Sequence, residues 1–261
     1  FTVPRSPRWL IKQGRTEEAR QVLTKIGGED YAAKEVADIS STISSEEVGR
    51  TNLRELAEPR LVKIILLGIL LAVTQQWSGL NSVFAYSHQI FGDAGIGVSG
   101  TMISLVLQGC TMLIFCVVAM FVVDTVGRKK LMLLGALGIS ITHFLIGLSF
   151  HRNSTGIMVV ALFLVAIALY ATTLAPVMWV LLSELFPNRI RGVALGISVV
   201  ALWTAYLILT YTFPLMRESM GTANTFWLYA AFLFVAFLVM AVALPETKGK
   251  TLEQIERDLF K

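Results

Sequence analysis

The sequence predicts an all-α membrane protein, and three observations predict it. First, 55% of the 261 residues are hydrophobic. Second, charge is confined: of 40 Asp, Glu, Lys and Arg residues, 21 lie between Arg5 and Lys63, eight between Glu246 and Lys261, and 11 between Ile64 and Leu244. Third, the apolar stretches between those 11 are about 20–30 residues long, enough to cross a hydrocarbon core of roughly 30 Å. A water-soluble core of this size needs polar faces far more often.

Six spans follow, at roughly 61–92, 99–123, 131–150, 157–186, 193–215 and 225–244. The connection from Thr125 to Lys130 carries three basic residues, and Arg189 and Arg191 mark the one between spans four and five. The opposite connections hold only Arg152 and Arg217 as full positive charges. The positive-inside rule therefore puts the basic loops and both ends of the chain in the cytoplasm, as an even number of spans requires. The net charge of +4 collects at span ends, and no Arg-rich or aromatic nucleic-acid motif accompanies it, so a nucleic-acid partner is not expected. Cys110 and Cys116 read as small packing residues. With no signal peptide visible and a start at Phe1, the chain is expected to be a fragment or a trimmed piece of a longer protein.

Residues 1–60 read as a soluble linker of short helices. Thr16-Glu17-Glu18 opens one helix with anionic residues, Ala19, Val22, Leu23 and Ile26 give it an apolar stripe, and Gly27-Gly28 stops it. A second is expected from about Tyr31 to Ile43, and a short third from Leu53 to Leu56. Residues 245–261 form a tail whose Thr251 to Glu256 is again amphipathic. Such pieces are too small to fold alone, so they are expected to cap the membrane bundle of residues 61–244.

The first span holds Gln75-Gln76-Trp77-Ser78-Gly79-Leu80-Asn81, followed by Tyr86. Carboxamides inside a bilayer are costly unless they face a polar cavity or a partner helix. On a straight helix Gln76 and Asn81 point about 140° apart; a bend at Gly79 lets both face one cavity. Their donors and acceptors suit the hydroxyls of a neutral polyol, and the competing reading is hydrogen bonding that only joins helices. The fourth span holds Tyr170 and then Ala175-Pro176-Val177-Met178-Trp179, where Pro176 makes a joint and Trp179 offers a face for a sugar ring. Trp203 and Tyr206 share a face of the fifth. Ordinary aromatic packing is the alternative for all of these.

Two acid–base motifs stand at the cytoplasmic ends, Asp124 to Lys130 and Ser183 to Gly192. Pairs across such turns form a gate if they join helices in one state and separate in another; topology-setting charge is the other reading. Gly249-Lys250-Thr251 is not a phosphate loop, because Leu244 stands where glycine is required. His88, His143 and His151 are too scattered for a metal, and His143 reads as a packing histidine. Asn153-Ser154-Thr155 matches a glycosylation acceptor. No nucleophile–base or metal constellation appears, so no enzyme is expected.

These motifs, with Pro4 to Leu10 and Pro245-Glu246-Thr247-Lys248-Gly249, resemble the sugar porters of the major facilitator superfamily. The chain is similar to bacterial xylose–proton symporters and to animal facilitative glucose transporters over essentially its whole length. The resemblance implies the C-terminal six-helix bundle of a twelve-span carrier, with the N-terminal half and the lipid bilayer as partners and a monosaccharide as substrate. It implies alternating access in the cell membrane. It implies sugar contacts from Gln75, Gln76, Asn81, Tyr86, Tyr170, Trp179 and Trp203, and a cytoplasmic gate of Asp124, Arg128, Glu184 and Arg191. No cofactor is expected. Proton-coupled symport is implied, driven by a proton gradient, with facilitative uniport and a non-transporting sugar sensor as the alternatives. Arg5, Met112, Leu202 and Ala85 depart from the family pattern, so the sugar stays unnamed.

Overall fold

The computed structural model describes residues 4–47, 56, 58–153, 156–187 and 190–250. The chain divides into two compact units, 1–56 and 57–261. Among the described residues every regular element is helical.

The first unit holds α1 (Pro7–Lys12), α2 (Thr16–Gly27) and α3 (Glu29–Glu47). Pro7 at the start of α1 costs nothing, since its missing N–H would have been unpaired there. Glu17 and Glu18 in the first turn of α2 complement the helix dipole. The three helices bury Leu10, Ala19, Leu23 and Ala32 between them. The Arg5 guanidinium lies 4.8 Å from the centre of the Trp9 ring, a cation–π contact that gives this departure a local partner. α1 and the length of α3 exceed the expectation; the expected helix from Leu53 falls mostly outside the described residues.

The second unit is the bundle: α4 (Pro59–Gln76), α5 (Leu80–Asp93), α6 (Val98–Val126), α7 (Arg128–His151), α8 (Ile157–Thr172), α9 (Leu174–Leu185) and α10 (Arg191–Ala243). Among the described residues five stretches are long and apolar enough to cross a membrane: Pro59–Asp93, α6, α7, Ile157–Leu185 and α10. The 53 residues of α10 would extend about 80 Å if straight, more than two hydrocarbon thicknesses of roughly 30 Å. They are broken at Gly221, where φ is 82°. The connection expected from Met216 to Asn224 is therefore helical apart from that break. Only Gly127 separates α6 from α7. The expected tail helix beyond residue 250, and Ser154, Thr155, Asn188 and Arg189, lie outside the described residues.

On α6 burial runs opposite to a soluble helix. α6 buries Thr101, Ser104 and Gln108, spaced three and four residues apart on one face, while Ile103, Val106, Leu113, Met120 and Phe121 are largely exposed. Polar groups need hydrogen-bonding company that hydrocarbon cannot give, whereas apolar side chains lose nothing by facing it. Small residues let the helices close in: a Cβ on Gly135 of α7 would sit 2.1 Å from the Thr173 hydroxyl. An aromatic cluster of Phe91, Phe163, Phe213, Phe226 and Tyr229 fills one region of the core.

Two spans are interrupted inside the bundle. Pro59–Asp93 breaks between Gln76 and Leu80, and Ile157–Leu185 breaks at Thr173 (φ −120°, ψ −86°). The second break precedes Pro176 instead of sitting at it. Proline has no N–H for the carbonyl four residues back and its ring crowds that carbonyl, so the disturbance falls on Thr172 and Thr173.

Candidate functional site

The interruption after α4 is built by sequence. Trp77 ends the helix with its N–H on the Val73 carbonyl, 2.8 Å away, and Gly79 adopts the left-handed conformation (φ 79°, ψ −15°). A side chain there is excluded twice over. The conformation is strained for L-residues, and a Cβ would lie 2.7 Å from the Tyr229 ring. The carbonyls freed by the turn find side-chain donors: Ser78 Oγ reaches the Gln75 carbonyl at 2.8 Å, and His143 Nε2 reaches the Ser78 carbonyl at 2.7 Å. Because a carbonyl only accepts, neutral His143 carries its proton on Nε2. Its fully buried ring thus packs and pins the turn.

Gln76 stands at the midpoint of the 35-residue stretch Pro59–Asp93, and Tyr170 within one residue of the midpoint of Ile157–Leu185. There the structure gathers the first polar set. Gln75 Nε2 donates to the Tyr170 hydroxyl at 2.6 Å, and Asn81 Nδ2 donates to Gln76 Oε1 across the break. The Asn81 side chain also interacts with the Tyr170 hydroxyl. Gln75, Gln76 and Tyr170 are buried and Asn81 is half-buried. Gln75 Oε1 is buried and has no partner among the described residues.

The other expected contacts divide. The Tyr86 hydroxyl donates to the Thr210 carbonyl at 2.9 Å, and its ring stacks on Phe213 with centroids 5.0 Å apart, so Tyr86 is engaged in helix packing. Trp179 on α9 and Trp203 on α10 stand outside the hydrogen-bonded set. Their rings are 46% and 61% exposed, unusual for indoles deep in spans; Trp203 meets Tyr206 edge-on at 5.7 Å. The sequence expectations did not include Gln108, 1% exposed, whose Oε1 lies 3.4 Å from the Ser87 hydroxyl while its Nε2 has no partner among the described residues. Its place in the polar stripe with Thr101 and Ser104 was the readable signal.

A second constellation joins the basic ends of α6, α7, α9 and α10. Arg128 Nη2 bridges Asp124 (3.0 Å) and Glu184 (3.1 Å). Thr247 Oγ1 donates to Glu184 at 2.6 Å, and Lys248 Nζ donates to the Thr125 carbonyl. Arg191 does not join: its Nε donates to the Phe186 carbonyl at 3.1 Å, and among the described residues it meets no acid. Glu246, missed as a member, accepts from the backbone N–H groups of Arg128, Thr247 and Lys248 at 3.0–3.1 Å. Burial pushes its carboxyl up, but the backbone donors of Lys248, Arg128, Lys129 and Thr247 outweigh that and hold it below the ordinary value of 4.5. At the opposite end Asp93 closing α5 takes both Arg217 (2.5 and 2.7 Å) and Thr222 (2.7 Å) of α10.

Residues 1–259 match the family model described as sugar (and other) transporter. The chain is 40% identical to the arabinose–proton symporter of Bacillus subtilis, over 98% of its own length and 55% of the relative's. It is 38% identical to the D-xylose–proton symporter of Escherichia coli, over 98% and 52%. It also superposes on a proton:xylose symporter of the major facilitator superfamily solved with 6-bromo-6-deoxy-D-glucose. That match has a TM-score of 0.81 at 35% identity and covers 99% of this chain and 55% of the other. The chain thus spans about half the length of the relatives it matches.

Proposed function

Because the chain belongs to the family of sugar (and other) transporters, we propose that it forms the six-span C-terminal half of a carrier that moves a neutral monosaccharide across the cell membrane by alternating access. The observation that carries this reading is the polar set of Gln75, Gln76, Asn81 and Tyr170 at the middle of two interrupted spans. Repeat-built carriers hold substrate near the bilayer midplane, beside discontinuous helices. Two carboxamides, a third across a turn and a phenol supply donors and acceptors in the number a polyol needs. The exposed indoles of Trp179 and Trp203 supply apolar faces for the ring's C–H side.

The basic end of the bundle faces the cytoplasm. There the bridge from Asp124 through Arg128 to Glu184 and Thr247 is the gate: it ties α6, α7, α9 and the segment after α10 while that side is shut. Sugar movement is coupled to protons, as the names of the arabinose and xylose relatives say of those proteins. In the described spans of this chain the acids stand at or beyond the ends, so the group that takes the proton is expected in the other half of the carrier. No intramembrane charge favours a charged solute.

Uptake of a labelled monosaccharide panel by the full-length carrier in proteoliposomes, with and without a proton gradient, tests the proposal. Gradient-dependent accumulation of one pentose or hexose is expected. Absence of uptake for every neutral sugar would overturn it.

A further inference from the structure

At the basic end of the bundle a groove of about 670 Å³ opens between the start of α4 and the end of α10. Its volume falls within the roughly 300–1,000 Å³ typical of small-molecule clefts. The walls are hydrocarbon: Leu66, Leu70, Val242 and Pro245. Two further lining residues differ in kind, Lys63 in the second turn of α4 and Lys129 in the first turn of α7. Among the described residues no carboxylate engages either ammonium, whereas neighbouring Lys248 is spoken for by the Thr125 carbonyl. Glu246, which follows the groove wall, turns its carboxylate to backbone N–H groups of Arg128, Thr247 and Lys248.

We propose that this groove is a binding site for an anionic phospholipid, with the acyl chain along Leu66, Leu70 and Val242 and the phosphate between Lys63 and Lys129. The division of chemistry carries the assignment. An apolar trough alone would accept any lipid tail, but two lining ammonium groups that no described carboxylate engages select a headgroup of net negative charge. Paired lysines beside a spanning helix lower the free energy of anionic lipid at the interface. Their long stems lie along the apolar wall while the charge stays at headgroup depth. The occupant would contact α4, whose far end carries Gln75 and Gln76, together with α7 and α10. Lipid there would thus brace α4, which carries two members of the polar set.

The test is native mass spectrometry of the full-length carrier taken from bilayers of equal phosphatidylglycerol and phosphatidylcholine. Retained phosphatidylglycerol is expected to exceed phosphatidylcholine by roughly tenfold. Lys63→Gln with Lys129→Gln should bring the ratio near one. Lys63→Arg with Lys129→Arg should keep the preference, which separates loss of charge from loss of fold, and Lys25→Gln with Lys34→Gln in the first unit should leave it unchanged. Soluble glycerol 3-phosphate, lacking acyl chains, should not displace the lipid. Equal retention of both lipids by the parent protein overturns the proposal, as does an undiminished preference in the Lys63→Gln, Lys129→Gln variant. This readout needs no transport, so it fails or holds independently of the sugar assignment.

Discussion

Gln75 and Tyr170 join two spans through one hydrogen bond of 2.6 Å, at the points where each span is nearest its middle. The bond uses only half of the carboxamide. Nε2 is committed to the phenol, while Oε1 is buried without a partner among the described residues. An unsatisfied buried acceptor costs about 1–3 kcal/mol, a cost that a hydroxyl donated by a bound ligand would offset.

A double-mutant cycle can separate bracing from binding at this pair. Gln75→Leu and Tyr170→Phe should show a coupling energy of about 0.6–1.7 kcal/mol in detergent melts, the scale of interhelical hydrogen bonds in membranes. Gln75→Leu should weaken sugar binding by more than Tyr170→Phe does, since only the first also removes the free acceptor. Equal binding losses would make the pair a brace and nothing more.

Gly79→Ala should destabilise the bundle. The left-handed backbone alone costs roughly 1–2 kcal/mol for an L-residue, and the Cβ falls 2.7 Å from Tyr229. A lowered Tm with reduced sugar affinity is expected; a variant that melts and binds as the parent does would mean the turn relaxes elsewhere.

Arg128→Ala removes the links to both Asp124 and Glu184. Uptake should drop by about tenfold or more, consistent with ~1–3 kcal/mol for a partly buried charge bridge. Labelling of cysteines placed on the basic side should rise because that side stays open. Unchanged labelling would reduce the motif to a topology signal.

Glu246 sets an acid limit on the same region. Its carboxyl is held below 4.5 in the folded protein, so its contribution is fully present above that value and is lost as pH falls through the lower, folded value. Glu246→Gln should therefore lower Tm near neutral pH, and the gap to the parent should narrow as the pH is taken well below 4.5. A gap independent of pH would assign the effect to packing.

Much of this was legible in the chain. The spacing of charge marked the bundle, because hydrocarbon tolerates few ionised groups and their scarcity leaves a trace in composition. Gly79 announced the bend, since a glycine beside carboxamides is where a span can open. Other features depended on three-dimensional proximity. Arg191 sits in a motif that looks like a partner for Glu184, yet Glu184 is met by Arg128 from another helix. Tyr86 follows the polar run closely, but its hydroxyl finds a backbone carbonyl of α10. Gln108 was overlooked although Thr101 and Ser104 precede it at helical spacing, because hydroxyl residues in a span satisfy themselves on their own helix and so mark a polar face weakly. The helical stretch through Met216 to Asn224 defied expectation because a connection need not unwind when one residue, Gly221, can supply the break.

Equilibrium binding of the transported sugar to the full-length carrier bearing Gln76→Ala bears on all of this at once. Loss of that carboxamide should weaken binding by roughly tenfold to a hundredfold, corresponding to about 1–3 kcal/mol for buried hydrogen bonds to substrate. Affinity equal to the parent's, with only the melting temperature lowered, would return Gln76 and its neighbours to the role of helix glue.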